Sequence, residues 1–254
     1  MSRAERLAGW MRRQLVSAGS RGFVVGLSGG VDSAVVLRLA QLAAPHTTLG
    51  LILPCHSDPQ DEQDAARVAE HFSVPTLRID LSGAYDTLIA SLQPALQAVP
   101  APMRPAAVAE GLRARLPLAN IKPRLRMTTL YYTANSLQYL VPGTGNRAEL
   151  AIGHFTKHGD GAADLLPLAG LVKSGVRALA RDLDVPSFVL DRTPGAGLWI
   201  GQSDEEEIGF TYDELERYLA EGPQAVSPAL AMKIERLMRL SEHKRQLAAV
   251  PDVE

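Results

Sequence analysis

Two hydrophobic periods alternate along the first eighty residues. Residues 1–17 place apolar side chains at helical spacing between Arg3, Arg6, Arg12 and Arg13, and predict an amphipathic helix. Residues 23–27 form a short apolar run, predicted as a strand, and residues 33–43 return to helical spacing. A second strand is predicted at 49–53, ended by Pro54, and a helix at 60–72 with Ala65, Val68, Ala69 and Phe72 on one face. A third strand follows at 76–79, ending near Asp80. Strands separated by helices imply parallel pairing with right-handed crossovers. The expected class is therefore α/β, three layers with a mostly parallel sheet. In such sheets ligands bind beyond the C-terminal strand ends, where Gly26–Ser33 and Pro54–Asp58 both lie.

The second half is less regular. Pro94, Pro100, Pro102 and Pro105 predict a loop or break over residues 94–106. A long helical segment is expected from about 117 to 137, then a buried strand at 138–141 closed by Pro142-Gly143. A helix is predicted over 168–183 and a short strand over 188–190. Ser203-x-x-Glu206 and Thr211-x-x-Glu214 have the spacing of capping boxes. The last helix is expected over 228–246, with Ser227 as its N-cap and Pro228 at the first helical position.

The 254 residues suffice for a sizeable core, and no repeat or low-complexity tract divides them. The net charge of −2 gives no global field for nucleic acid, and aromatics are few. The single cysteine, Cys55, excludes an internal disulfide and any Cys-x-x-Cys metal or sulfur-relay site. Residues 1–17 have no apolar signal-peptide core, and no apolar run is long enough for a membrane span. A cytoplasmic location is expected.

The chemistry concentrates in Gly26-Leu27-Ser28-Gly29-Gly30-Val31-Asp32-Ser33, between the first strand and the next helix. A strand that turns through glycines into a helix presents bare N–H groups at the positive end of a helix dipole. Gly29 and Gly30 permit close approach of a phosphate, and Ser28 and Ser33 add hydroxyls. No Gly-Lys-Ser/Thr follows, and the Gly-x-Gly-x-x-Gly spacing is absent. Asp32 is an acid within this loop, where a carboxylate alone would repel a phosphate. The order Ser-Gly-Gly-x-Asp-Ser resembles the pyrophosphate loop of the N-type ATP pyrophosphatases, which adenylate their substrates and release pyrophosphate.

Further segments follow in order. They are Asn120-Ile121-Lys122-Pro123-Arg124-Leu125-Arg126-Met127, Gly143-Thr144-Gly145-Asn146-Arg147-Ala148-Glu149 and Phe155-Thr156-Lys157-His158-Gly159-Asp160-Gly161-Ala162-Ala163-Asp164. Leu171-Val172-Lys173, Gly197-Leu198-Trp199, Gln202-Ser203-Asp204-Glu205 and His243-Lys244-Arg245 complete the set. Together they resemble the NAD synthetases from about residue 20 to residue 246. The resemblance implies a Rossmann-like fold of the adenine nucleotide α-hydrolase type. It implies a two-step reaction: the carboxylate of nicotinic acid adenine dinucleotide attacks the α-phosphorus of ATP, and ammonia then displaces AMP. It also implies a homodimer, and a single domain over 1–254 without a glutaminase domain, hence ammonia as nitrogen donor.

By the same resemblance, Asp32, Ser28 and Lys173 are catalytic, and Asp32 and Glu149 hold magnesium. ATP is bound by residues 26–33, Thr144, Lys173 and Gly195, and the dinucleotide by Arg124, Lys157, Asp164, His243 and Lys244. The sequence departs from the family pattern at Gly195, where a hydroxyl is usual, at His158, where tyrosine is common, and at Pro123, where a small residue is usual. Two other readings remain: another adenylating enzyme of the superfamily, amidating like GMP synthetase or modifying tRNA, and a nucleotide-binding module without turnover. The missing Cys-x-x-Cys argues against thiolation, and Asp32 with Glu149 argues for turnover.

Overall fold

Four strands, β1 (Gly22–Leu27), β2 (Thr48–Ile52), β3 (Thr76–Arg78) and β4 (Tyr139–Leu140), pair in parallel in the order β3-β2-β1-β4. The computed structural model describes residues 1–104, 112–191 and 204–251. β1 is central, pairing Leu27 with Ile52 on one side and Phe23 with Leu140 on the other. Successive strand residues point to opposite faces, so Phe23, Val25 and Leu27 enter one core and Val24 the other. The first core is covered by α1 (Arg3–Ser17), α2 (Val31–Ala43), α3 (Pro59–His71) and α8 (Lys173–Asp182). The second packs Leu51, Leu53 and Val141 against Ala134 of α6 (Ile121–Leu137) and Tyr85 of α4 (Ser82–Gln97). These are the three layers expected from the sequence.

A smaller cluster sits past the C-terminal strand ends. It is built from α7 (Arg147–Ile152), α10 (Asp204–Ile208), α11 (Tyr212–Glu221) and α12 (Pro228–Leu240) around Leu215 and Ile234, both fully buried. The chain runs outward from β1 through β2 to β3 and returns to β4 on the other side of β1. That reversal opens a crevice between the loops that follow β1 and β4.

The first three strands and first three helices lie where the pattern puts them, within one or two residues. Later elements need correction. Helix α4 runs through Pro94, where a break was expected. Proline removes one hydrogen bond, but the flanking Ala, Leu and Gln are strong helix formers. The single helix expected over 117–137 is two, α5 (Leu112–Ala119) and α6, parted at Asn120. Pro123 has no N–H for the Ala119 carbonyl, and sits instead in the first turn of α6. The predicted strand at 188–190 is a helical turn, α9 (Ser187–Leu190), begun at Pro186. A three-residue apolar run has no readable period. Helix α8 starts at Lys173, not Leu168, because Val172 is extended and the Leu171 carbonyl accepts from the Arg147 N–H. Helix α12 stops at Leu240, and Glu242–Lys244 form a 3-10 turn. Its last carbonyls are taken by the Ser241 hydroxyl, on Leu237 and Met238, and by Arg245, on Met238. Ser227 caps α12 and Thr211 caps α11 as predicted. Ser203, Gly195 and Gly197-Leu198-Trp199 lie outside the described residues.

Candidate active site

The loop after β1 turns into α2 with Gly29 at φ +79° and Gly30 as N-cap without a side-chain cap. The N–H groups of the first turn are thus free of any side-chain cap at the positive end of a thirteen-residue helix. Ser33 is buried, donates to the Gly30 carbonyl at 2.9 Å, and lies 3.1 Å from the hydroxyl of exposed Ser28. The two serines brace the loop. A Cβ on Gly29 would stand 2.5 Å from the carbonyl oxygen of Asp61 on α3. Gly29→Ala should therefore push the loop off α3: we expect roughly 2 kcal/mol of lost stability, read as a lower melting temperature, and a raised KM for ATP. An unchanged melt and KM would contradict this packing.

Across the crevice, Asn146 is fully buried and organises the opposing wall. Its Oδ1 accepts from the N–H groups of Ala148 and Glu149, and its own N–H donates to Glu149 Oε2. Its Nδ2 donates to Asp32 Oδ1 at 3.2 Å. One side chain thereby starts α7, orients Glu149 and ties that wall to α2. The Asn146-x-x-Glu149 spacing is a capping box, a signal that could have found α7 from sequence.

Lys173 projects from the first position of α8 between the two carboxylates. Its Nζ is 2.5 Å from Asp32 Oδ2 and 3.3 Å from Glu149 Oε1, with the lysine side chain only 7% exposed. Burial works against the ammonium, but Asp32 and Glu149 outweigh it and raise its pKa. One cation shared by two carboxylates leaves a net negative charge. Burial, with Asp32 adding to it, pushes the Glu149 carboxyl up to about 7 despite Lys173. This imbalance fits a second cation. Two carboxylates facing a cavity, with room for phosphate oxygens and water, are the donor set that magnesium takes. Among the described residues no group of three or more His, Cys, Asp or Glu forms a denser metal site.

The loop and the Asp32–Lys173–Glu149 group border a cavity of about 810 Å³. Ser28, Gly30, Asp32, Ser33, Thr144, Glu149 and Lys173 line it, as do Gly26, Leu27 and Val31. Gly29 is not in the lining; it packs behind the loop. The five residues assigned to the dinucleotide divide. Arg124, Lys157, His243 and Lys244 gather at one rim: Arg124 donates to the Lys157 carbonyl and Lys157 to the His243 carbonyl. Of these only Lys244 lines the cavity, and its Nζ donates to the carbonyls of Gly153 and Phe155 at 2.8 Å each. With Arg245 on the Leu150 and Ala151 carbonyls, it caps the C-terminus of α7. His243 is on the 3-10 turn, not on α12 as expected. Asp164 stands apart at the end of β4, accepting from the Val141 N–H at 2.7 Å and from Tyr131 at 3.3 Å. Cys55 is fully buried, which raises its pKa and leaves it a packed side chain.

Residues beyond the assigned set also face the cavity, and two of them, Arg126 and Asp204, stand in segments that carry the resemblance. Arg126 lines the cavity and donates to the Leu53 carbonyl and the Ser57 hydroxyl. His154 and Asp204 line it too, paired at 3.2 Å, and the Tyr212 hydroxyl donates to the other Asp204 oxygen at 3.0 Å. Burial opposes the charged forms of His154 and Asp204, and their mutual contact overcomes it, raising the histidine and lowering the aspartate. The Tyr212 ring lies 5.4 Å from Lys173 Nζ. Sequence spacing carries no sign of this group, because it joins α10, α11 and the 153–160 loop only in space.

A parallel α/β sheet thus carries, at its switch point, a glycine-rich loop that faces a cation-bridged carboxylate pair across one cavity. A model of the family described as NAD synthase matches residues 3–248. The NH(3)-dependent NAD(+) synthetase of Carboxydothermus hydrogenoformans is 46% identical, over 98% of this chain and 96% of its own. That of Syntrophomonas wolfei is 43% identical, over 95% and 92%. Among solved structures, an NMN synthetase from Francisella tularensis superposes with a TM-score of 0.87 at 38% identity, covering 99% of this chain and 98% of its own. An NAD+ synthetase from Burkholderia pseudomallei gives 0.74 at 34%, covering 96% and 88%. The chain belongs to the NAD synthase family, whose members are ligase-type enzymes.

Proposed function

We propose that the chain amidates nicotinic acid adenine dinucleotide to NAD, using ATP and ammonia and releasing AMP and pyrophosphate. The observation that carries this is the Asp32–Lys173–Glu149 group set opposite the Ser28–Ser33 loop. The loop N–H groups and Ser28 receive the β- and γ-phosphates. Their donors are in place before pyrophosphate develops charge, so they favour the transition state over bound ATP. Lys173 draws charge from the same leaving group. Magnesium, held by Asp32 and Glu149, would neutralise further phosphate charge. The acid's carboxylate is already ionised near neutral pH and attacks the α-phosphorus unaided, so the protein's work is positioning. Ammonia then attacks the acyl carbon and AMP leaves. Thr144 and Gly195 complete the ATP contacts in this reading. Arg124, Lys157, Asp164, His243 and Lys244 hold the dinucleotide.

We place this activity in one domain over 1–254, in the cytoplasm, with the chain as a homodimer. Helix α4 supports the dimer: it has no buried residue, yet Leu88, Leu92 and Leu96 form a stripe at i, i+4, i+8, 38%, 40% and 65% exposed. Among the described residues no helix is long and apolar enough to cross a membrane. A second reading comes from the similarity to the Francisella NMN synthetase: the same amidation of an acid mononucleotide.

Product formation decides. The purified chain is given ATP, magnesium and either the acid dinucleotide or the acid mononucleotide, with ammonium or glutamine. We expect NAD from the dinucleotide with ammonium and not with glutamine, with AMP and pyrophosphate in equal amounts. Turnover of the mononucleotide alone would select the second reading. No product from either acid would reject both.

A further inference from the structure

Lys173 is placed against the electrostatics of its own helix. It is the first residue of α8, where the dipole is positive and cations are disfavoured. The N-cap, Val172, offers no side-chain acceptor. The missing cap arrives from another helix: Glu216 of α11 accepts from the Ser174 N–H at 2.8 Å and from the Ser174 hydroxyl at 2.5 Å. Its carboxylate satisfies an orphan donor and offsets the positive helix end. Four residues earlier on α11, and so on the same face, stands Tyr212, whose ring lies 5.4 Å from Lys173 Nζ. Between them Leu215 is fully buried in the cluster that joins α11 to α7. One helix thus grips the backbone beside Lys173 and backs its ammonium, while α7 of the same cluster supplies Glu149.

We propose that Glu216 is a positioning residue for the adenylation step: with Tyr212 it aims Lys173 across the Asp32–Glu149 pair. The proposal rests on the reading of Lys173 as a catalytic group. A bound cation displaced by a fraction of an ångström contributes much less, and misplacement of about 1 Å can cost on the order of 100-fold in rate. For loss of the Glu216 clasp alone we expect a kcat about tenfold lower, with KM for ammonium unchanged. Glu216→Gln retains an oxygen for the Ser174 N–H and should recover most of that rate.

A double-mutant cycle tests this. Wild type, Glu216→Ala, Lys173→Met and the double variant are compared by pyrophosphate release with saturating substrates and magnesium. Each rate is divided by the folded fraction from a melting curve. If Glu216 acts through Lys173, Glu216→Ala lowers kcat in the wild-type background and adds nothing in the Lys173→Met background. An equal loss in both backgrounds would overturn the proposal, as would a lower melting temperature with kcat per folded molecule unchanged. Wild-type turnover by Lys173→Met is a different failure. It would remove Lys173 from the catalytic group, and the positioning role with it.

Discussion

Asp32→Asn should lower turnover by about three orders of magnitude while the melting temperature hardly moves. The two halves of that expectation have separate causes. Asp32 occupies the second position of α2, with one carboxylate oxygen facing Asn146 Nδ2 and the other facing Lys173 Nζ. Asparagine has the same shape but only one oxygen, so its amide must point at one of two donors, at a cost of roughly 1–3 kcal/mol. Against this, the substitution removes the carboxylate that burdens Glu149, and Lys173 keeps Glu149 as a partner. The two changes oppose each other in stability. They do not oppose each other in catalysis. The site loses a hard anionic ligand, and Lys173 is drawn toward Glu149, away from the phosphate loop. Pyrophosphate release and a thermal melt on one preparation settle the point. Turnover within tenfold of wild type would show that Asp32 neither holds the cation nor sets Lys173.

The sequence was most legible where one strand faces two helical layers. Phe23 to Leu27 alternate between two cores, and the loop that follows must turn through Gly29, since its φ is positive and α3 lies against it. Pattern and loop together sufficed for the sheet and for the glycine-rich loop that borders the cavity. The second half resisted for physical reasons. Helix α7 is six residues long, and its only local mark is the Asn146–Glu149 box. Pro94 misled, being tolerated within α4, and the apolar run at 188–190 misled because three residues show no period and Pro186 starts a helical turn there. The pairing of His154 with Asp204 spans fifty residues of chain, and Glu216 meets Ser174 across forty-two. No periodicity encodes such contacts; they exist because α10 and α11 fold over Leu215 and Ile234. The resemblance named the charged residues, but their arrangement, one lysine shared by two acids, is a property of the packing.

Lys173→Met should cost roughly 3–5 kcal/mol of stability at pH 8 and much less at pH 6, and should cut turnover at least 100-fold at either pH. Removing the ammonium leaves Asp32 and Glu149 facing each other with no cation between them. Glu149 relieves this by taking a proton. Its carboxyl already stands at about 7 in the wild-type fold, against an ordinary value of 4.5, and without Lys173, which lowers it, it must stand higher. The sign follows by linkage. Between the unfolded and folded pKa the native state binds more protons than the unfolded chain, so stability falls as pH rises. The stability that protonation lends is full below 4.5 and is lost as pH climbs through about 7 in the wild type. In the variant the loss extends further up. The extra deficit at pH 8 then comes from the fraction of Glu149 that has lost its proton beside Asp32, not from a packing defect. A divalent cation that binds both should remove it: magnesium should raise the variant's melting temperature at pH 8 more than that of wild type, without restoring turnover. Melting curves at pH 6 and 8, with and without magnesium, carry the test. A deficit equal at both pH values and indifferent to magnesium would mean that Lys173 acts in the fold as a packed chain, and that Glu149 and Asp32 do not share a cation.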